Sequence, residues 1–119
     1  MKNHKIVHME IPADDIIKAK EFYEKVFDWK VNVETGYDEY AFFKDADDGI
    51  GGAFQKSDKK LSGEMMLYIE VDDIPAALDE IEKAGGKKVQ EKTKISDEHG
   101  HYALFNDTCN NLMGLWSKN

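Results

Sequence analysis

His8 and Glu10 stand two residues apart in Lys5-Ile6-Val7-His8-Met9-Glu10-Ile11, a segment in which apolar residues alternate with others. Side chains two apart on a strand share a face. The imidazole and the carboxylate therefore project together, and Val7, Met9 and Ile11 project the other way to cover a helix. An imidazole beside a carboxylate is the material of general acid–base chemistry, here proton removal from a carbon acid. Glu64-Met65-Met66-Leu67-Tyr68-Ile69-Glu70-Val71 has the same build: Met65, Leu67, Ile69 and Val71 on one face, Glu64, Met66, Tyr68 and Glu70 on the other. His8, Glu10 and Glu70 are the candidate catalytic residues, with either glutamate as the base. Unpaired buried charge is expensive, so these groups are expected to meet water, a partner or a ligand.

Two further features invite chemistry and carry less of it. His99-Gly100-His101 places imidazoles at i and i+2, which share a strand face, but no third donor is evident nearby. A metal site needs about three protein ligands, so the pair reads as surface histidines near a strand start. Cys109 is the only cysteine, which excludes an internal disulfide and a cysteine-based metal site. It reads as a reduced loop thiol; a nucleophile would need a neighbouring His.

The elements that position these residues follow from periodicity. Pro12-Ala13-Asp14-Asp15 is expected to break the first strand and supply a carboxylate N-cap. Over 16–27, Ile16, Ala19, Tyr23 and Val26 recur at helical spacing. Strands are expected over 29–35, 37–44 and 50–56, with turns at Gly36 and at 45–49. After the polar linker the order restarts. A strand over 64–71 leads to a helix capped by Asp72-Asp73, with Pro75 tolerated in its first turn. Ile74, Ala77, Leu78 and Ile81 form its buried stripe, and Gly85-Gly86 ends it. Strands over 87–95, 99–106 and 111–117 close the second half.

The sequence itself repeats. Tyr40/Tyr102, Ala41/Ala103, Phe43/Phe105, Asp45/Asp107, Gly52/Gly114 and Lys56/Lys118 coincide at one offset without a gap. The first strands and helix starts match at a shorter offset, which sets Asp14 on Asp72, Ile16 on Ile74 and His8 on Met66. The extra residues of the second copy fall around 92–100. The fold class is therefore α+β, two β-α-β-β-β modules (1–57 and 64–119, linker 58–63) with curved mixed sheets around a cavity. On this register the fourth strands present Gly52 and Gly114 to the cavity, and parity adds Ile50, Phe54, Leu112 and Trp116. The candidate ligand-binding set is His8, Gly52, Phe54, Met66, Tyr68, Gly114 and Trp116, an apolar and aromatic wall with a few polar groups.

Composition bounds the partners. The chain has 119 residues, one domain's worth, and a net charge of −8 with the acidic residues spread along it. Nucleic acid is excluded as a partner on this basis, because phosphate binding needs a basic face. All 16 cationic residues are Lys, and the missing Arg fork disfavours a strongly anionic substrate. No apolar signal region follows Met1, and no apolar run reaches membrane-spanning length. A cytoplasmic protein without membrane attachment is expected.

The doubled order, together with His8-Met9-Glu10-Ile11, Lys20-Glu21-Phe22-Tyr23-Glu24-Lys25-Val26-Phe27-Asp28-Trp29 and Tyr68-Ile69-Glu70-Val71-Asp72-Asp73-Ile74, resembles the vicinal oxygen chelate superfamily, which joins glyoxalases, bleomycin resistance proteins and extradiol dioxygenases. The resemblance covers essentially the whole chain. Asp28 stands where the family usually has glycine. In metal-using members a His, a Glu, a His and a Glu, on the first, fourth, fifth and eighth strands, hold one divalent ion. The resemblance sets these at His8, Gly52, Met66 and Gly114. The last assignment uses the turn Asp107-Thr108-Cys109-Asn110-Asn111, similar to a family turn whose Pro and Gly are here replaced. Three of the four ligands are missing, so the resemblance implies a member with neither metal nor cofactor, whose two glycines enlarge the cavity. It also implies a homodimer, as is common among relatives.

Two functions of different class follow. The first is a metal-independent protein that binds a small organic molecule, cationic or aromatic, like the family's antibiotic-sequestering members; an acidic surface attracts cations. The second is a metal-free isomerase, epimerase or lyase using Glu10, Glu70 and His8. A third is a domain retained for protein association.

Overall fold

The computed structural model describes residues 4–33 and 39–119; the turn expected at Gly36 lies outside the described residues. The chain divides into two compact units, Met1–Lys59 and Lys60–Asn119. Each unit runs strand, helix, strand, strand, strand.

The first unit comprises β1 (Met9–Ala13), α1 (Ile16–Phe27), β2 (Lys30–Asn32), β3 (Tyr40–Lys44) and β4 (Gly52–Lys56), with sheet order β1-β4-β3-β2. Only β1 and β4 run parallel. Asp15 is the N-cap of α1, its carboxylate accepting from the Lys18 N–H at 3.1 Å. Ile16, Ala19, Phe22 and Tyr23 form the buried stripe, and Val26 is half-buried. The helix ends at Asp28, whose φ of 57° and ψ of 25° are left-handed. That conformation explains the usual glycine at this position, since a Cβ is disfavoured there. The bend turns Trp29 back onto the helix: Tyr23 stacks on Trp29 at 4.6 Å, Trp29 on Phe43 at 4.7 Å, and Phe54 closes on Tyr23 at 5.1 Å. Of the residues that carry the resemblance here, Phe22, Tyr23 and Trp29 are thus core packing, Phe27 is half-buried, and Asp28 is exposed.

Two expectations about β1 differ. Pro12 does not break the strand; it pairs with Gln55 within β1. β1 is an edge strand, where a missing N–H costs no ladder bond on the open side. Val7 does not cover the helix; it precedes the paired segment and is 68% exposed.

The second unit comprises β5 (Tyr68–Glu70), α2 (Ile74–Lys83), β6 (Lys87–Ser96), β7 (Gly100–Asn106) and β8 (Leu112–Ser117), ordered β5-β8-β7-β6 with β5 parallel to β8. Asp73 caps α2 by accepting from the Ala76 N–H at 3.0 Å. Gly85 turns at φ +100°, and the Gly86 N–H returns to the Ile81 carbonyl at 2.9 Å. Ile74, Leu78 and Ile81 pack with Ala103, Phe105, Met113 and Leu115 as the core. β5 is shorter than expected, and Met65 ahead of it is exposed. β6 absorbs the extra residues of this copy as irregularities between Lys88 and Gln90, Gln90 and Thr93, and Lys94 and Ser96.

The β7–β8 turn is tied by the buried Asp107. Its carboxylate accepts from the backbone N–H groups of Cys109 at 2.8 Å and Asn111 at 2.9 Å, and from Asn111 Nδ2 at 3.1 Å. Asn111 Oδ1 in turn accepts from the Leu61 N–H at 2.7 Å. Asp45 acts likewise in the first unit, accepting from the N–H groups of Ala46 and Gly51. The repeated aspartate is therefore a turn organiser.

The two copies differ in register at one place. Phe43 pairs with Gly52, nine residues on; Phe105 pairs with Met113, eight residues on. The ungapped match of Gly52 with Gly114 is off by one in structure. Ala53, which pairs with Glu10, is the counterpart of Gly114, which pairs with Tyr68. A one-residue slip moves every side chain to the opposite face.

Candidate functional site

Each sheet has one face on its helix and one turned away from it. In the first unit the face away from α1 carries Glu10, Tyr40, Phe42 and Gln55. His8 sits just ahead of β1 on the same side, with its ring 6.3 Å from that of Phe42. Tyr40 joins the two expected polar groups. Its hydroxyl donates to Glu10 Oε2 at 2.7 Å and lies 3.0 Å from His8 Nε2. A carboxylate only accepts, so the phenolic hydrogen goes to Glu10 and the oxygen accepts from Nε2–H. His8 Nδ1 and the second Glu10 oxygen then face outward as acceptors. Side-chain exposures of 41% for His8 and 48% for Glu10 leave both open to solvent. Tyr40 is the residue that strand parity at His8 and Glu10 does not disclose; its only mark in the sequence is the Tyr40/Tyr102 repeat.

Gly52 and Phe54 are not on this face. A Cβ at Gly52 would meet the Met9 carbonyl, Met9 Cγ and the Phe43 ring, all on the helix side. Phe54 is fully buried between Tyr23, Trp29 and Phe43. The extra residue between β3 and β4 is the cause, because it reverses the parity that the repeat implied.

In the second unit the face away from α2 carries Tyr68, Glu70, Tyr102, Leu104, Gly114 and Trp116. Tyr68, Ile95, Tyr102, Leu104 and Trp116 line an open basin of about 460 Å³. The Tyr68 ring lies across Gly114, where a Cβ would come within 2.3 Å of it. The glycine therefore does not enlarge the cavity. Its missing side chain is replaced by the neighbouring tyrosine ring, which becomes the floor. Trp116 is fixed by its indole N–H, which donates to the His99 carbonyl at 2.7 Å. Tyr102 accepts from Gln90 Nε2 at 2.7 Å. Glu70 is exposed beside Trp116 on the same face, and Met66 is half-buried ahead of β5.

The remaining candidates fall elsewhere. His99 is exposed in the β6–β7 turn, and His101 lies on the helix side of β7, paired with Ser117. The pair does not share a strand face, because Gly100 at φ +74° redirects the chain between them. Cys109 is buried in the Asp107 turn.

The residues matched to the superfamily's metal ligands do not suit a divalent ion. Gly52 and Gly114 offer no donor, Met66 offers a soft thioether, and His8 directs Nε2 at Tyr40. Among the described residues no group of three or more His, Cys, Asp and Glu is disposed to hold a metal. No described helix is long and apolar enough to cross a membrane.

The architecture recurs in solved proteins. A glyoxalase/bleomycin resistance protein/dioxygenase family enzyme from Burkholderia phytofirmans superposes with a TM-score of 0.78 at 14% identity, covering 98% of this chain and 100% of that one. The fosfomycin resistance protein FosX of Listeria monocytogenes superposes with a TM-score of 0.77 at 16% identity, covering 99% and 96%. At such identities the likeness is one of fold. A glyoxylase-like domain-containing protein of Didymella fabae is 26% identical over 116 residues, 92% of this chain and 91% of its own. The family model of the Glyoxalase/Bleomycin resistance protein/Dioxygenase superfamily matches residues 5–115, nearly the whole length, and the chain belongs to that superfamily.

Proposed function

We propose that this protein binds a small organic molecule with an aromatic or apolar face, without a metal, in the basin of its second unit. The carrying observation is the basin itself: three aromatic and two aliphatic side chains around about 460 Å³, with no charged residue in the lining. Sites of this make-up take up apolar ligands and use a few polar groups for orientation. The lining holds no carboxylate to pair with a cation, and its three ring faces match a flat aromatic molecule, so of the two ligand kinds expected from sequence we take the aromatic one. The missing donors at the matched ligand positions support metal independence. A homodimer, expected from the resemblance, belongs to the same proposal and is read by sedimentation.

The test is a panel of apolar and aromatic compounds scored by thermal shift and by perturbation of the Trp116 indole N–H resonance. Trp116→Ala should weaken a bound aromatic compound about tenfold. A panel that leaves Trp116 unmoved, while another surface responds, would sink the proposal.

A second reading is favoured by one observation, the His8–Tyr40–Glu10 chain of hydrogen bonds. It holds an imidazole as the Nε2–H tautomer with Nδ1 directed outward, the form a proton-accepting base needs. A metal-free isomerase, epimerase or lyase would use it, with Glu70 the remaining candidate. Such an enzyme would lose turnover in both His8→Ala and Glu10→Gln while its fold persisted; turnover surviving both substitutions removes this reading.

A further inference from the structure

Tyr40 and Tyr102 are copies of one residue, placed alike on the face away from the helix, and their hydroxyls are wired in opposite senses. Tyr40 donates its proton to Glu10. Tyr102 receives one instead. Thr93 Oγ1 donates to the Glu91 carbonyl at 2.8 Å and so has no hydrogen left for Gln90. The Gln90 group facing it at 3.1 Å must therefore be the amide nitrogen. That same nitrogen lies 2.7 Å from the Tyr102 oxygen and donates to it. The Tyr102 hydrogen then points away from Gln90, and no described residue accepts it. Of the other donors of the basin, the Trp116 indole is already spent on the His99 carbonyl, and the Tyr68 hydroxyl sits on the ring that lies across Gly114.

We propose that the basin selects a neutral, planar aromatic molecule with an acceptor oxygen at its edge, and that the Tyr102 hydroxyl donates to that oxygen. This rests on the basin being the binding site. The Trp116, Tyr68 and Tyr102 rings supply flat apolar contact. An anion meets no cation in the lining and has Glu70 beside Trp116 to repel it; a cation meets ring faces but no carboxylate within the lining, whereas a neutral aromatic oxygen compound uses the rings and the hydroxyl donor together. The hydroxyls of Tyr102 and Tyr68 are the directional groups left for a ligand, and only that of Tyr102 has its oxygen already engaged as an acceptor, by Gln90, so that it meets a ligand as a donor and recognises a carbonyl, lactone or ether oxygen.

The experiment titrates the intact protein with coumarin, naphthalene and N-methylquinolinium while following the Trp116 indole resonance. Coumarin should bind about fivefold more tightly than naphthalene, the worth of one neutral hydrogen bond. Tyr102→Phe, which keeps the ring and removes the hydroxyl, should abolish that difference. Gln90→Glu should do the same by a different route, because a carboxylate would draw the Tyr102 proton toward itself, as Glu10 draws that of Tyr40. Equal binding of coumarin and naphthalene to the unaltered protein overturns the donor assignment but keeps the basin. A coumarin preference that survives both substitutions, or tighter binding of N-methylquinolinium, also overturns it. If none of the three compounds shifts Trp116, the basin is not the site and the proposed function falls with it.

Discussion

At the scale of single residues, the replaced ligand positions are informative for what occupies their space. Gly114 is matched to a carboxylate ligand of metal-using relatives, and here the Tyr68 ring fills the place of its side chain. Gly114→Ala should force that ring aside, at a cost of about 1–3 kcal/mol, as overpacking typically does. Denaturant unfolding measures the cost, and a changed Trp116 resonance would report the displaced floor. A stability loss without any change at Trp116 would show that Tyr68 and Trp116 do not share one basin. Gly52 is a different case, since it faces Met9 and Phe43 on the helix side and has no access to a ligand on the opposite face. Tyr40 gains its importance in the same local way: it lies within hydrogen-bond reach of both His8 and Glu10 because β3 and β1 flank β4.

At the scale of elements, the helix ends carry the sharpest consequences. Asp28 holds a left-handed conformation at the C-terminus of α1, which costs an L-residue about 1–2 kcal/mol and a glycine almost nothing. Asp28→Gly should therefore stabilise the protein by about 1 kcal/mol in chemical denaturation; an unchanged or lower midpoint would mean that the Asp28 side chain makes up the difference. One turn earlier, Glu24 fastens the helix to β2. Its carboxylate accepts from Lys20 Nζ at 2.6 Å and from the Val31 N–H at 3.1 Å. Those bonds, the lysine's first, hold its pKa below the ordinary value of 4.5. A carboxyl whose folded pKa is lowered contributes stability above its unfolded pKa and loses it as pH falls through the folded one. Stability should therefore drop below about pH 4.5, and Glu24→Gln should flatten that part of the acid limb. An acid limb of unchanged slope in the variant would place the titrating group elsewhere.

At the scale of the whole molecule, each unit turns a sheet face of its own make-up away from its helix: His8, Tyr40 and Glu10 in the first, apolar and aromatic side chains with the Tyr68 and Tyr102 hydroxyls in the second. Three of the four matched metal positions lack a donor suited to a divalent ion, and this gives a global prediction. Zinc, nickel or manganese added to chelator-treated protein should leave its melting temperature unchanged, whereas specific binding to the folded state alone would raise it by mass action. A stoichiometric rise with any of the three would contradict metal independence. The doubled β-α-β-β-β order, both helices with their aspartate caps, and most of each helix's buried stripe were legible in the sequence. Periodicity and capping are local, and a duplicated unit states its elements twice. What only the tertiary structure decided was face and partner. Phe54 reads as cavity wall by an ungapped repeat and proves to be core, because a single extra residue between β3 and β4 inverts a period-two pattern. The linkage of Tyr40 to His8 and Glu10, and the opposite wiring of Tyr102, depend on strands far apart in sequence being neighbours in the sheet, which pairing decides and no local spacing encodes.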